Sequence, residues 1–158
     1  MISLEDIMTT EVTTLSKHHS VLDARELMSN KGIRHIPITD AQGTLEGIFS
    51  QRDLLAVMDS TESDLGHHER KTRESQILLN EVMTKKVSTA NTSVSLREAA
   101  MFLQNKKYGC LPIVEEGKVK GIITDTDFIS VAINLLEQIE DCEPLVEDDL
   151  LERELLSV

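Results

Sequence analysis

The hydrophobic and polar positions of this chain follow one pattern twice. In each copy, apolar residues at helical spacing come first, followed by a short apolar run with a proline, a polar turn and a second apolar run. This succession predicts a helix, two strands that form a hairpin, and a final helix. The apolar positions of the first helices are Val21, Ala24, Leu27 and Met28 in one copy, and Leu96, Ala99, Phe102 and Leu103 in the other.

The two copies align residue by residue, which indicates an internal repeat. Met8-Thr9 returns as Met83-Thr84, 75 residues later, and the proline run at 36–38 returns at 111–113. One residue is then missing from the second copy, so that later positions correspond at a spacing of 74 residues. We therefore expect one supersecondary unit used twice.

Capping and turn residues predict where the elements begin and end. Ser20 and Ser95 are each followed three residues later by an acid, the pattern of a capping box. Gly32 suits the end of the first helix, whereas residues 107–109 predict an end that is shifted or different. The prolines favour an edge position or a strand start. The predicted strands are 36–39, 44–49, 111–114 and 118–123, with turns at 40–43 and 115–117, short opening strands near Val12 and Val87, and final helices after Ser50 and Thr124.

The segment between the copies is polar, and the chain ends in an acidic tail. Residues 59–73 predict a solvated linker that leads into a helix at 74–83. Leucines alternate with acids in the tail, which indicates that part of it is helical and packs on another surface. The expected organisation is a first repeat at 1–58, a linker and connecting helix at 59–81, a second repeat at 82–137 and the tail at 138–158.

Composition narrows the classes of partner. The formal net charge is −12, and 9 of the 28 acids lie in residues 137–158. Acidic charge and an aromatic content of only 3% disfavour nucleic acid, which needs basic patches and stacking platforms. The N-terminus lacks a signal-peptide pattern, and no run approaches the roughly 18 apolar residues that span a bilayer. We expect a cytoplasmic protein without a membrane or nucleic-acid partner.

The corners between the last strand and the last helix of each copy carry the candidate chemistry. Residues 47–53 and 121–127 both read glycine, two apolar residues, a hydroxyl residue, two variable residues and aspartate. One interpretation is structural, since a hydroxyl residue followed by such an acid caps a helix and stabilises it by about 1 kcal/mol. The other is a ligand site, because a helix N-terminus favours phosphate, Asp53 or Asp127 can accept both hydroxyls of a ribose, and glycine lets a ligand approach the backbone. The two interpretations are compatible.

This order of motifs resembles the cystathionine-β-synthase-type (CBS) family over about residues 7–57 and 82–137. The resemblance implies an α/β (α+β) fold in which two tandem β-α-β-β-α units pack about a pseudo-twofold axis and leave two clefts. It also implies adenosine-bearing ligands (AMP, ADP, ATP or S-adenosylmethionine) and a homodimer, and it leaves open whether Mg2+ accompanies ATP. The implied ligand residues are Ser50, Asp53, Arg52, Arg34, His35, Thr84 and Ser88 for the first cleft, and Thr124, Asp127, Thr9 and Thr13 for the second.

The copies differ where the resemblance implies phosphate contacts. The first copy has Arg34-His35 before its proline strand, and the second has Gly109-Cys110. A guanidinium binds phosphate through two parallel hydrogen bonds, whereas glycine and cysteine neutralise no charge. We expect one phosphate-bearing ligand in the first cleft, with the second empty or holding an uncharged nucleoside group. The alternative is that Arg34 and His35 are ordinary surface residues at a strand start.

The remaining polar candidates have mostly structural interpretations. Lys106 and Lys107 are either the solvated end of a helix or additional cations near the cleft. Cys110 is expected to pack as a small hydrophobic residue, with redox sensitivity as the alternative because it adjoins the cleft. Two histidine pairs lack the spacing of metal ligands and are expected to be loop residues. They are His18-His19 and His67-His68.

Together these features predict a regulatory module that binds an adenine nucleotide and signals to an unidentified partner. Such a signal requires the ligand to prefer one arrangement of the two copies over another. The alternatives are a ligand-free scaffold that acts through dimerisation and its acidic tail, and an enzyme that uses Asp53 and Asp127. The sequence contains no recognisable nucleophile, phosphate loop or metal motif, so we expect no catalytic residue and no metal site.

Overall fold

The computed structural model describes residues 2–60 and 66–142. Contacts between Cα atoms divide the chain into two compact units, Met1–Asp125 and Thr126–Val158. Both hairpins lie in the first unit, and most of the last helix lies in the second. The elements are α1 (Leu4–Ile7), α2 (Val21–Lys31), β1 (His35–Thr39), β2 (Leu45–Ser50), α3 (Gln51–Ser60), α4 (His67–Gln76), α5 (Leu79–Val82), α6 (Leu96–Lys106), β3 (Cys110–Glu115), β4 (Lys118–Thr124) and α7 (Asp125–Cys142).

Capping boxes begin α2 and α6, as predicted. Ser20 Oγ accepts from the Asp23 N–H, and the Asp23 carboxylate accepts from the Ser20 N–H at 2.8 Å. Ser95 and Glu98 form the same pair of bonds at the start of α6. The predicted starts of α3 and α7, directly after the hydroxyl residues of the two corners, are also confirmed.

The two early helices end at corresponding residues. Gly32 ends α2 with a φ of 65°, and Lys107, 75 residues later, ends α6 with a φ of 56°. Of the two predicted alternatives, the end of α6 is not shifted but different, because lysine takes the capping position that glycine has in α2. A lysine adopts the left-handed conformation that glycine has in the first repeat, which costs free energy because the Cβ crowds the next carbonyl oxygen.

Each repeat contributes one antiparallel hairpin, β1–β2 or β3–β4. Pro37 is paired with Ile48, whose own N–H and C=O bond instead to Thr84, both at 2.9 Å. Pro37 thus occupies a non-hydrogen-bonded position of the ladder, where its missing N–H costs nothing. The second hairpin repeats this arrangement at Pro112 and Ile122.

The predicted turns are confirmed, and they also join the two hairpins. Gly43 and Gly117 have φ values of 83° and 79°, in the region that favours glycine. The Gly117 carbonyl accepts from the Leu45 N–H at 3.0 Å, and the Gly43 carbonyl accepts from the Val119 N–H at 3.1 Å. The backbone of each turn therefore supports the other repeat.

The opening segments form isolated bridges instead of the short strands predicted near Val12 and Val87. Leu15 and Ala90 each make a parallel bridge to the first strand of their own hairpin. Earlier in each segment the pairing crosses over, because Thr9 bonds to β4 of the second repeat and Thr84 bonds to β2 of the first. The two repeats therefore exchange their opening segments.

The segment between the repeats is more helical than predicted. Helix α4 begins at residue 67, inside the segment predicted as linker, while the helix expected at 74–83 is interrupted at Ile77. The interruption has a backbone cause, since the Ile77 carbonyl accepts from the Val21 N–H at 2.9 Å. α4 itself is held against α2 by Arg25, whose Nη2 lies 2.5 Å from Oε1 of Glu74.

The predicted apolar faces of the early helices line the cores. Of the eight residues named, Leu27, Leu96 and Phe102 are partly exposed and the other five are buried. The buried cluster around the first repeat is Val21, Ala24, Met28, Ile36, Ile38, Phe49, Leu54, Val57, Leu79 and Met83. Since Leu79 and Met83 lie on α5 and directly after it, where the chain enters the second repeat, the exchange seen in the backbone extends to the side chains.

Candidate functional site

The corner between β2 and α3 holds an aspartate by its capping bonds. The N–H and Oγ–H of Ser50 donate to Asp53 Oδ2 at 2.7 and 2.8 Å, and Ser50 Oγ accepts from the Asp53 N–H at 3.3 Å. The structural interpretation of this motif is thus confirmed for the first repeat. Because an ionised carboxylate can accept about four hydrogen bonds, Oδ1 of Asp53 keeps acceptor capacity for a ligand.

A cavity of about 320 Å³ opens beside this corner, within the first unit. Its wall contains all of the residues expected at the first cleft, namely Arg34, His35, Ser50, Arg52, Asp53, Thr84 and Ser88. The wall also contains Ile48, Gln51, Lys86, Val87, Lys107, Tyr108, Gly109, Cys110, Pro112 and Asp125. Small-molecule sites usually have volumes of about 300–1,000 Å³, so this cavity suits a small ligand.

Corresponding backbone bonds position the residues expected to contact phosphate. The Gln51 N–H donates to the Arg34 carbonyl at 2.9 Å, and the Asp125 N–H donates to the Gly109 carbonyl at 3.1 Å. Gly109 and Cys110 therefore lie in the wall of the same cavity as Arg34, although the sequence associated them with the second cleft. The equivalent positions of both repeats, Arg34-His35 and Gly109-Cys110, thus line one cavity.

The imidazole of His35 lies against the backbone of Gly109. A Cβ at Gly109 would be 2.8 Å from both Cε1 and Nε2 of His35, so only glycine leaves room for this ring. Burial, followed by the charge of Arg34, lowers the pKa of His35 below its ordinary value of 6.5, against the opposite effects of Asp125 and Asp53. At neutral pH His35 is therefore an uncharged hydrogen-bonding group.

Cys110 has the surroundings of a structural cysteine. Its side chain is buried, and burial together with the nearby charge of Asp125 raises the pKa of the thiol to about 12. A thiol reacts as the thiolate, which is scarce at neutral pH under these conditions. The expectation of a small packed residue is confirmed, and the alternative of a redox-sensitive group loses support.

Gly47 and Gly121, at the start of the two corners, make room for side-chain and backbone atoms of the other repeat. The sequence had indicated that these glycines let a ligand approach the backbone. A Cβ at Gly47 would lie 2.7 Å from Met83 Sδ and 2.9 Å from the carbonyl oxygen of Thr84. A Cβ at Gly121 would lie 2.5 Å from Met8 Sδ. In each case the crowding group belongs to the opening segment that crosses over from the other repeat.

The backbone of Thr84 has little capacity left for a ligand. Its N–H and C=O both bond to Ile48, so a ligand can use only the remaining lone pair of the carbonyl oxygen. Ser88 and its neighbour Val87 also line the cavity and belong to none of the described helices and strands. They are therefore better placed than Thr84 to offer backbone groups to a ligand.

The residues expected at a second cleft are spread over several elements. Thr124 ends β4, Thr9 is bonded through its backbone to Ile122, and Thr13 is partly exposed in the opening segment. Asp127 lies on α7, in the second unit. Their role in a ligand site stays a prediction.

Four charged or aromatic residues of the cavity wall were missed or undervalued by the sequence analysis. Lys86 lies between Thr84 and Ser88 in the sequence, and all three residues line the cavity. Lys107 corresponds to Gly32, so the repeat alignment alone could have marked it as unusual. Nothing in the sequence indicated Tyr108 or Asp125.

The two histidine pairs have ordinary structural positions. His67 and His68 begin the exposed first turn of α4, a correction to the expected loop, and His19 Nδ1 bonds within its own turn to Ser16. Over residues 2–60 and 66–142, His, Cys, Asp and Glu form no group of three that could hold a metal ion. In the same part of the chain, no helix is both long and apolar enough to cross a membrane.

Comparison with known families decides the classification. The profile of the CBS domain matches residues 4–60 and again residues 79–134. The chain belongs to the CBS domain family. It is a tandem CBS pair with the expected α/β (α+β) fold, and solved CBS pairs share that fold.

Several relatives of this CBS pair have a similar size. A Vibrio cholerae protein assigned to acetoin utilization, AcuB, is 43% identical, with 91% of this chain and 99% of that chain covered and a TM-score of 0.75. The CBS domain-containing protein YhcV of Bacillus subtilis is 29% identical over 78% of this chain and 80% of its own length. CBSX2 of Arabidopsis thaliana, solved in complex with AMP, is 27% identical over 85% of this chain and 98% of that chain, with a TM-score of 0.71.

Other relatives are enzymes that carry this CBS pair as a minor part. The chain spans 22% of the homoserine O-acetyltransferase of Methanocorpusculum labreanum, at 31% identity. It spans 21% of the inosine-5'-monophosphate dehydrogenase of Halalkalibacterium halodurans, at 34% identity. The likeness therefore concerns one portion of each enzyme.

Proposed function

We propose that this CBS pair is a regulatory module that binds an adenine nucleotide (AMP, ADP, ATP or an S-adenosylmethionine-like ligand) and signals to a partner protein by a conformational change. The observation that carries the proposal is the convergence of the expected ribose and phosphate residues on one cavity, with Asp53 held at its edge. Where the ligand is ATP, Mg2+ accompanies it. The role is regulatory, without catalysis of its own.

The charges of the wall support an anionic ligand. Four cations, Arg34, Arg52, Lys86 and Lys107, face two acids, Asp53 and Asp125, so the wall carries a net charge of about +2. The α3 N-terminus adds partial positive charge beside Arg52. In the proposed pose, Asp53 Oδ1 accepts from the ribose hydroxyls and the phosphate lies toward Arg34.

A relative supports the same class of ligand. CBSX2, at 27% identity and a TM-score of 0.71, was solved with AMP bound. A CBS pair that is 22% identical, MJ0100, was solved with 5'-methylthioadenosine and S-adenosylmethionine, and it supports the fold alone.

The test is isothermal titration calorimetry with AMP, ADP, ATP and S-adenosylmethionine. Wild type should bind at least one of them with one site per chain, and Asp53→Ala should abolish binding. Asp23→Ala is the matched control, because Asp23 forms the same capping box with Ser20 on α2 but lies outside the cavity.

Outcomes of this titration separate the proposal from a ligand-free scaffold. If wild type binds none of these compounds at millimolar concentration, the nucleotide proposal is wrong. If Asp23→Ala loses binding as completely as Asp53→Ala, the loss reflects helix capping and not ligand contact. Asp53→Asn keeps an acceptor for the cap and replaces the alanine variant should that variant fail to fold.

We also propose that the CBS pair forms a homodimer. On α7, Ile129, Ile133 and Leu136 have the i, i+4, i+7 spacing of one helix face, and each is at least half exposed. Leu55 of α3 corresponds to Ile129 in the repeat and is also half exposed. Exposed apolar faces of this kind mark interaction surfaces.

Sedimentation should find a dimer in wild type and a monomer in Ile133→Glu, and a wild-type monomer would contradict the proposal.

A further inference from the structure

One carboxylate of the cavity wall has an uncharged counterpart in the other repeat. Asp125 is the first residue of α7 and corresponds to Gln51, the first residue of α3. Asp125 Oδ1 lies 3.4 Å from Arg34 Nη2, and Asp125 Oδ2 lies 3.9 Å from the point that a Cβ on Gly109 would occupy. Arg34 and Gly109 are equivalent positions of the two repeats, so Asp125 places its negative charge between them.

A phosphate can replace the Asp125 carboxylate as the partner of Arg34. Both side chains are about half exposed, 54% and 51%, and exposed ion pairs contribute little to stability. Phosphate is a stronger partner for a guanidinium, because it accepts two parallel charge-assisted bonds. Asp125 stays attached to the cavity wall through its backbone bond to Gly109 when its side chain is displaced.

Each phosphate of a bound nucleotide is repelled by the negative charge of the Asp125 carboxylate in the cavity wall. Coulomb repulsion grows in proportion to the charge brought within a few ångströms of a fixed carboxylate. A single phosphate can take Arg34 while Arg52, Lys86 and Lys107 offset its charge. Further phosphates bring more negative charge into a volume of about 320 Å³, near the lower limit for small-molecule sites.

We propose that Asp125 is a specificity-determining residue that limits the cavity to nucleotides with one phosphate. Arg34 supplies the attraction for that phosphate, and Asp125 sets the limit by repelling the next. This inference rests on the nucleotide-binding function proposed above and narrows its ligand class to a nucleoside monophosphate.

The test compares the dissociation constants of AMP, ADP and ATP for wild type and Asp125→Asn, without Mg2+ and at about 0.1 M salt, where the Debye length is about 10 Å. Wild type should bind AMP about tenfold more tightly than ATP. Asp125→Asn should tighten ATP about tenfold and AMP by a smaller factor of about threefold, because both ligands gain a free Arg34 but ATP also loses the greater repulsion. Asp125→Gln, which copies the residue at position 51, is the second variant if the asparagine variant does not fold.

Glu46→Gln is the matched control for net charge. Glu46 forms a partly exposed ion pair with Lys17 at 2.8 Å and lies outside the cavity wall, so this variant loses the same charge and also breaks an ion pair. It should leave the ratio of the ATP and AMP dissociation constants unchanged. An equal shift of that ratio in Glu46→Gln and Asp125→Asn would overturn the specific role of Asp125.

A double-mutant cycle tests whether Asp125 competes with phosphate for Arg34. Arg34→Ala should weaken AMP more in the Asp125→Asn background than in wild type, while adenosine changes little in either. Failure of wild type to bind any adenine nucleotide would overturn the proposed function and this inference together. Wild-type binding with ATP preferred over AMP, or an equal gain for all three nucleotides in Asp125→Asn, would overturn this inference and leave the proposed function intact.

Discussion

At the scale of single residues, the cavity wall is set by side chains whose neighbours decide their chemistry. His35 is kept uncharged by burial and by Arg34, and Asp53 is oriented by the bonds of a helix cap. The lysine at position 107 keeps a left-handed conformation that glycine has in the other repeat. Strained residues of this kind often lie at functional sites, in agreement with the position of Lys107 in the cavity wall.

The lowered pKa of His35 predicts a pH dependence of stability. Between the folded-state pKa and the unfolded value of about 6.5, the unfolded chain binds more protons, so the free energy of unfolding falls as the pH falls through this range. His35→Gln should therefore flatten the dependence of unfolding free energy on pH between about 7 and 5, measured by urea denaturation. An unchanged slope in His35→Gln would contradict this account.

At the scale of elements, α4 is stabilised more by one ion pair to α2 than by an apolar face of its own. Its ten residues are nearly all polar, and within it only Glu74 is buried. Glu74 is 4% exposed and bonds to Arg25 of α2. Helices without an apolar face need tertiary contacts to persist, because isolated short helices are marginal in water.

Removal of one partner from this pair should be costly. We expect Glu74→Ala to lower the free energy of unfolding by about 2–3 kcal/mol, because it leaves the partly buried guanidinium of Arg25 without its carboxylate. Replacing both partners by methionine should restore most of the loss. Glu46→Ala, which breaks the more exposed pair with Lys17, should cost at most about 1 kcal/mol. Urea denaturation measures all three, and equal costs for Glu74→Ala and Glu46→Ala would rule out a special role for burial.

The sequence predicted elements that are stabilised by nearby residues and missed an element that is stabilised by a distant one. Caps and turns depend on residues within about four positions of each other, so Ser20, Gly43 and the start of α3 were predicted correctly. The first-cleft residues followed from repeat alignment and family resemblance, and they meet at one cavity. α4 was missed because its stabilising contact is 49 residues away in sequence, at Arg25.

At the scale of the whole molecule, the two repeats are held together by exchanged opening segments. Met83 and Thr84 cross to Gly47 in the first repeat, and Met8 crosses to Gly121 in the second. The reason for these two glycines could not be read from the sequence, since the crowding groups come from the opposite copy.

The two crossings should respond differently to the same substitution. Gly47→Ala should lower the free energy of unfolding by about 1–3 kcal/mol, because the new Cβ meets the fixed carbonyl oxygen of Thr84 at 2.9 Å. Gly121→Ala should cost less, because its closest contacts are all in the flexible side chain of Met8, which can change rotamer. Chemical denaturation of the two variants measures the difference. An equal or larger cost for Gly121→Ala would contradict this assignment.

The crossed backbone bonds also bear on how such a protein could originate. A single repeat would keep its hairpin but leave the outer N–H and C=O of Ile48 without the bonds that Thr84 supplies. Unpaired groups on a sheet edge recruit another chain, and two identical single repeats could satisfy each other by exchanging their N-terminal segments. The tandem chain has the connectivity expected if two such exchanged halves were fused by gene duplication, after which the halves were able to diverge and leave a basic Arg34 in one and a neutral Gly109 in the other.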